Sequence, residues 1–212
     1  MRKLKTLKKS SSALFLLSLL LLLPVQWAVA ATADTCNACH AAAVRKASKA
    51  PQLAGQSASY LKKQLLQFQL GERGAAANDM TGQQMAVMAK TLTAAEIETL
   101  AIFYSQQTAV AEPVTGSNAS NDAVQLDQGR RLYIGSCGAC HGAKAEGNPA
   151  LNAPVLQMLG KDYLQLQVRH FRDGVRGVSK TDKPGRQMAL MSRELSDADI
   201  EAVAAYIGAE LP

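Results

Sequence analysis

Most residue types that build sites are scarce in this 212-residue chain. Tryptophan occurs once, as Trp27, and histidine only three times. The chain has four cysteines and no spare thiol outside two short motifs. No period-2 run of β-branched residues marks a strand, which argues against any strand-based fold. The longest apolar run, Ala13 to Leu23, has eleven residues, short of the roughly 20 that a membrane-spanning helix needs. With three histidines there is no spare catalytic pair, which disfavours a peroxidase.

What the N-terminus does have is a basic decapeptide, "MRKLKTLKKS", with five cations and no acid. The short apolar run follows, then Pro24 and the small-x-small sequence "AVA" at 28–30. Together these read as a secretory signal peptide, 1–30, cleaved after Ala30. The expected location is therefore the periplasm, where idle thiols tend to oxidise to disulfides. The signal also carries much of the charge. The whole chain is +6, but the first thirty residues hold five of the 23 basic and none of the 17 acidic residues, which leaves +1. Nucleic acid is not an expected partner, since the basic balance belongs to the export signal.

Beyond residue 30 the chain is one unit written twice. "YLKKQLLQFQLGERG" (60–74) matches "YLQLQVRHFRDGVRG" (163–177), and "QMAVMAKTLTAAEIETLAIFY" (84–104) matches "QMALMSRELSDADIEAVAAYI" (187–207). Both matches have an offset of 103, as do Pro51 and Pro154. The expected layout is a first domain over 31–107, a small, polar linker over 108–125 and a second domain over 126–212. Each unit reads as helical. Ser57 opens a helix over the first "YL" repeat and Gly71 ends it. Thr93 with Glu96, and Ser196 with Asp199, are capping boxes in front of apolar helical faces. The fold class is all-α. Domains of about 80 residues are small for a self-sufficient core and call for a staple.

The cysteines supply one. "TCNACHA" (35–41) and "SCGACHG" (136–142) each read C-x-x-C-H. A zinc site wants four ligands, and each half has one cysteine pair and one adjacent histidine. A thioredoxin-like pair follows a strand, and no strand is expected. Covalent attachment of a c-type haem uses this spacing: two thioethers to the vinyl groups, with the next histidine beneath the iron. The motifs therefore predict two covalently bound haem c groups, one on Cys36 and Cys39 with His40, the other on Cys137 and Cys140 with His141.

A sixth ligand separates carriers from enzymes. His170 matches Gln67 in the repeat and reads as a solvated surface residue. Each half holds a methionine pair, Met85 with Met88 and Met188 with Met191. Their first members stand eight residues before the capping Thr93 and Ser196, which reads as an approach loop. Met85 and Met188 are therefore preferred as iron ligands, with Met88 and Met191 as core filler. The carbonyls of Pro51 and Pro154 are candidates to orient the two ligating histidines.

These motifs, with "PQLAGQSASYLKKQLLQFQLGERG" in the first half and "ELSDADIEAVAAYI" in the second, resemble the dihaem cytochromes c4. The resemblance implies two tandem class I cytochrome c domains about a pseudo-twofold axis, with haem edges facing. It implies His/Met ligation, periplasmic location and an electron carrier, not an enzyme. The partners implied are redox proteins, a quinol-oxidising complex and a terminal oxidase, with peripheral association with the membrane. In the family pattern Arg73 and Arg176 lie near the haem propionates or the domain interface. The alternative is the dihaem electron-accepting subunit of a periplasmic dehydrogenase, such as flavocytochrome sulfide dehydrogenase. One departure stands out. Only "ATADT" (31–35) precedes Cys36, so the first domain is expected to lack its N-terminal helix. The apolar face of its C-terminal helix (94–107) would then be uncovered unless the linker, the second domain or a partner covers it, and its haem is expected to have the lower potential.

Overall fold

The structure, a computed structural model, describes residues 33–109 and 119–211. The signal segment with its cleavage point, and much of the linker, lie outside the described residues. Every regular element described is helical, apart from one isolated bridge between Asn148 and Ala153.

In the first half, α1 (33–40) carries the C-x-x-C-H motif itself. It is followed by α2 (Arg45–Ser48), α3 (Ala58–Gln69), α4 (Met80–Lys90) and α5 (Ala94–Ser105). The second half has α6 (Ala119–Leu132), a π-helical turn (Tyr133–Cys137), α7 (Gly138–His141) and a 3-10 turn (Pro149–Leu151). Then come α8 (Lys161–Arg172), α9 (Lys183–Ser192) and α10 (Asp197–Glu210).

Local chemistry sets the boundaries as expected. The Ser57 hydroxyl accepts from Tyr60 N–H at the start of α3. Gly71 then adopts φ 73, in the left-handed region that favours glycine, and ends the helix. Both capping boxes form, Thr93 with Glu96 and Ser196 with Asp199.

Two cores result. Leu61, Leu100, Ala101 and Tyr104 are buried together in the first half, with Cys36 against them. In the second, Tyr133, Leu164, Val203, Ala204 and Ile207 form the larger cluster. There α6 crosses α10 at Gly129, where an added Cβ would run into the Ala202 carbonyl. Only glycine permits this approach.

Helix α6 starts at Ala119, ahead of the expected second domain start at 126. Two expectations need correction. The methionine pairs are not on loops but within α4 and α9. The cause is an unread cap: Asp79 and Asp182 accept from the N–H of Gly82 (2.8 Å) and Gly185 (2.9 Å) and start helices ahead of the methionines. Nor is the face of α5 uncovered. Leu100, Ala101 and Tyr104 are buried, and the Tyr104 hydroxyl lies 3.2 Å from the Ala33 carbonyl and 3.0 Å from Asn37 Oδ1 of α1. The short α1 is enough to close that face, which removes the reason for expecting a lower potential in the first half.

Candidate haem sites and the interface between them

The first C-x-x-C-H motif lies on α1, which ends at His40; the second runs from Cys137, the last residue of the π-helical turn, into α7, which ends at His141. All four thiols are free. Burial pushes the Cys36 thiol up, and takes Cys137 up to about 11. Neither shift is toward the low-pKa thiolate of a redox-active C-x-x-C.

The two histidines are buried, His40 at 8% and His141 at 4% exposure. His40 Nδ1 lies 2.8 Å from the Pro51 carbonyl, and His141 Nδ1 lies 3.1 Å from that of Pro154. A carbonyl only accepts, so Nδ1 carries the proton and donates it. Nε2 is left with a free lone pair, which is what a metal-binding imidazole needs. Burial also holds both rings below the ordinary imidazole range, keeping them neutral. The carbonyl bond survives a length change. The second half spends two more residues between histidine and proline and takes them up in the loop that contains the 3-10 turn.

No methionine of either pair is fully buried; Met88 is 43% and Met191 39% exposed. Met85 packs against the buried cluster of Phe68, Ala86 and Ala89. In the second half a cavity of about 390 Å³ is lined by Cys137, Cys140, His141, Met188 and Met191, with Pro154, Leu159, Leu164, Phe171 and Ile207 around them. It is mostly apolar, with one imidazole, two thiols and two thioethers facing inward.

At its inner edge the cavity reaches residues of the other half, Tyr60 and Gln64, beside Arg176. Here the two halves meet through a reciprocal network. Arg73 donates to Gln64 Oε1 (2.7 Å), to the Tyr163 hydroxyl (2.9 Å) and to Gln167 Oε1 (3.0 Å). Arg176 donates to Gln167 Oε1 (2.7 Å), Gln64 Oε1 (2.7 Å) and the Tyr60 hydroxyl (3.5 Å). Each guanidinium also stacks on its own half's ring, Arg73 on Phe68 at 4.4 Å and Arg176 on Phe171 at 4.5 Å. Both arginines are buried at 8% exposure, yet their hydrogen bonds go only to neutral groups. A buried cation so placed favours a nearby anion. Arg73 and Arg176 thus stand at the interface, as the family pattern implies.

Gln56 adds a second tie, donating to the Val155 carbonyl (2.6 Å) and accepting from its N–H (3.0 Å). The Lys63 ammonium meets Asp182 at 2.6 Å, and Thr181 donates to Glu72 at 2.5 Å.

His170 overturns its surface reading. It is 8% exposed, and its Nδ1 lies 3.9 Å from Asp79 Oδ1 of the other half. Sequence reasoning placed it on a helix beside two arginines, which is true; the interface that buries it joins residues some ninety positions apart. Gln56, Asp79 and Asp182 went unnoticed for the same reason, although the Asp pair could have been found at the offset of 103.

The residues fit a covalent haem. The donor set is two free thiols and a neutral, oriented imidazole in each half. The described cavity is mostly apolar, and two buried guanidiniums hydrogen-bonded only to neutral groups stand at the interface, where an acidic group would be welcome.

Comparison with known proteins agrees. The cytochrome c family model matches residues 28–107 and 126–209. Cytochrome c4 of Thiocapsa roseopersicina is 32% identical over 74% of this chain and 77% of that protein. A thiosulfate dehydrogenase electron acceptor of Stutzerimonas stutzeri (strain A1501) is 32% identical over 82% of this chain and 78% of its own length. Among solved structures, reduced recombinant cytochrome c4 from Pseudomonas stutzeri has a TM-score of 0.64 at 27% identity, covering 85% of this chain and 95% of that one. Two attachment motifs on one duplicated all-helical frame, matched twice over by the same family, place the chain in the cytochrome c family, as a dihaem electron-transfer cytochrome of the cytochrome c4 group with two covalent haem c groups.

Proposed function

We propose that the protein is an exported, periplasmic carrier that takes electrons from a quinol-oxidising complex and passes them to a terminal oxidase, after removal of residues 1–30. The observation that carries this reading is the interface. Two sites of the same construction are joined by a buried, hydrogen-bonded seam.

Haem supplies one-electron chemistry when bound. The chain's own residues do the rest. Cys36 with Cys39, and Cys137 with Cys140, form the thioethers. His40 and His141 offer Nε2, held in orientation by the Pro51 and Pro154 carbonyls. Met85 and Met188 would supply the second protein ligand, supported by the packing of Met85 against buried Phe68, Ala86 and Ala89 and by the place of Met188 in the cavity wall. The apolar walls exclude water, and Arg73 and Arg176 favour an acidic edge on the haem. A histidine and a methionine ligand together would close the iron to substrate and leave it to electron transfer.

Mass spectrometry of the periplasmic form tests the cofactor and the export together. Two haem additions on a chain beginning at Ala31 are expected; one addition, or haem extractable by acid, would contradict the reading. Reduction by purified quinol-oxidising complex, and oxidation by a terminal oxidase, test the direction of flow.

A second reading has its own support, the likeness to a thiosulfate dehydrogenase electron acceptor over most of both chains. Here the donor is a periplasmic dehydrogenase, of the broad kind that also includes flavocytochrome sulfide dehydrogenase. Co-purification with a dehydrogenase, and reduction dependent on its sulfur substrate, would favour this donor over the quinol-oxidising complex.

A further inference from the structure

The charge pairing across the interface is incomplete on one side. Asp79 and Asp182 occupy matching positions, and each caps the helix that carries its half's methionines. Asp182 is answered from the other half by the Lys63 ammonium at 2.6 Å. The residue matching Lys63 is Leu166, which cannot answer Asp79. What faces Asp79 instead is His170, where the first half has Gln67. Its Nδ1 lies 3.9 Å from Asp79 Oδ1, beyond hydrogen-bond range, and among the described residues it has no hydrogen-bond partner although it is buried. A neutral imidazole leaves that nitrogen orphaned. Arg73 of the same half acts on Asp79 through space, but no hydrogen-bonded cation reaches it from across the interface among the described residues; a protonated ring would supply the counterpart of Lys63.

The charged groups around the ring come from both halves. Asp79 at the start of α4 and Asp173 just past α8 favour a charge on His170. Arg73 and Arg176 oppose it, and burial opposes it most, holding the ring below the ordinary imidazole range. The ring also sits on α8 between Gln167 and Phe171, which line the haem cavity. An added electron removes one positive charge from that cavity and so favours a cation at this position.

We propose that His170 and Asp79 form a proton-binding site at the domain interface that takes up a proton when the protein takes up an electron. The electron comes from the redox donor and converts ferric to ferrous iron. The proton comes from bulk water and binds an imidazole nitrogen. No other bond is made or broken, and oxidation returns both. The product is a His170–Asp79 ion pair, the counterpart of Lys63–Asp182. This rests on haem occupying the cavity beside α8.

Redox titration of the haem-loaded protein between about pH 5 and 8, the range in which histidine titrates, tests it. Potential should rise as pH falls. A tenfold difference in proton affinity between the oxidised and reduced forms corresponds to about 59 mV. His170→Gln installs the residue that the first half carries at this position and should flatten the dependence. Asp79→Asn keeps an acceptor for the α4 cap and should move the inflection to lower pH. Proton uptake on reduction, read with an indicator dye in weak buffer, should fall in His170→Gln. A merely structural His170 would alter stability and leave slope and uptake alone. Unchanged slopes for both haems in His170→Gln, or unchanged uptake, overturns the proposal. A failed carrier reading would look different: no reversible redox wave at any pH.

Discussion

At the scale of single residues, what fixes each site is a hydrogen bond that leaves no choice. A prolyl carbonyl can only accept, so the bonds from His40 and His141 decide which ring nitrogen faces the cofactor. Met85 packs on a buried cluster, whereas Met188 and Met191 both line the second-half cavity. We expect Met85→Ala and Met188→Ala each to convert one haem to high spin, or to a replacement ligand, and to lose the thioether–iron band in the optical spectrum. Met88→Ala and Met191→Ala, at positions 43% and 39% exposed, should keep both signals. The reverse pattern would reassign the ligands. The cysteines, both site histidines and the two prolines were legible in the sequence because their chemistry depends on short spacing. His170 was not, because its partner lies on the other half and only the interface brings the two together.

At the scale of elements, the helix starts written in serine and threonine were readable and those written in aspartate were missed. Asp79 and Asp182 each stand three residues before a glycine N–H that they accept, and this turned an expected loop into α4 and α9. Asp182 does more than cap. Burial would raise its carboxyl, but the Lys63 ammonium and the Gly185 N–H outweigh that and hold it below the usual carboxylate range. A depressed carboxylate contributes stability above its unfolded value, about 3.9, and loses it as pH falls through the folded value. Wild type should therefore lose stability on acidification below about pH 4 more steeply than Asp182→Asn, which itself should cost roughly 1–3 kcal/mol at neutral pH. Denaturant titrations at several pH values would show both. The α6–α10 crossing gives a second expectation. Gly129→Ala forces a methyl against the Ala202 carbonyl, and should destabilise the second half by roughly 1–3 kcal/mol, read as a lower thermal midpoint.

At the scale of the molecule, the duplication was plain in the sequence, and so was the all-helical class. How tightly the halves are joined was not. Gln56 is 1% exposed and satisfies both polar groups of the Val155 backbone across the seam. Gln56→Leu removes both bonds at once and strands two buried backbone groups, at about 1–3 kcal/mol each. We expect calorimetry to resolve one cooperative transition in wild type and two in this variant, as the halves begin to melt separately. A single, merely lowered transition would mean that the arginine network suffices to hold them together.

That network is reciprocal: Arg73 reaches Gln167, and Arg176 reaches Gln64. Such pairing is the mark of an isologous contact, the kind that two identical subunits make about a twofold axis. In a homodimer each position is present twice, so any change at the seam is made on both sides at once. A lysine suited to one aspartate would be forced upon the other, and a histidine could not stand opposite a glutamine. Covalent fusion lifts that constraint. With both copies on one chain, position 63 can remain lysine while 166 becomes leucine, and 67 can remain glutamine while 170 becomes histidine. The linker therefore does more than tether two equal halves: it is what allows them to be unequal.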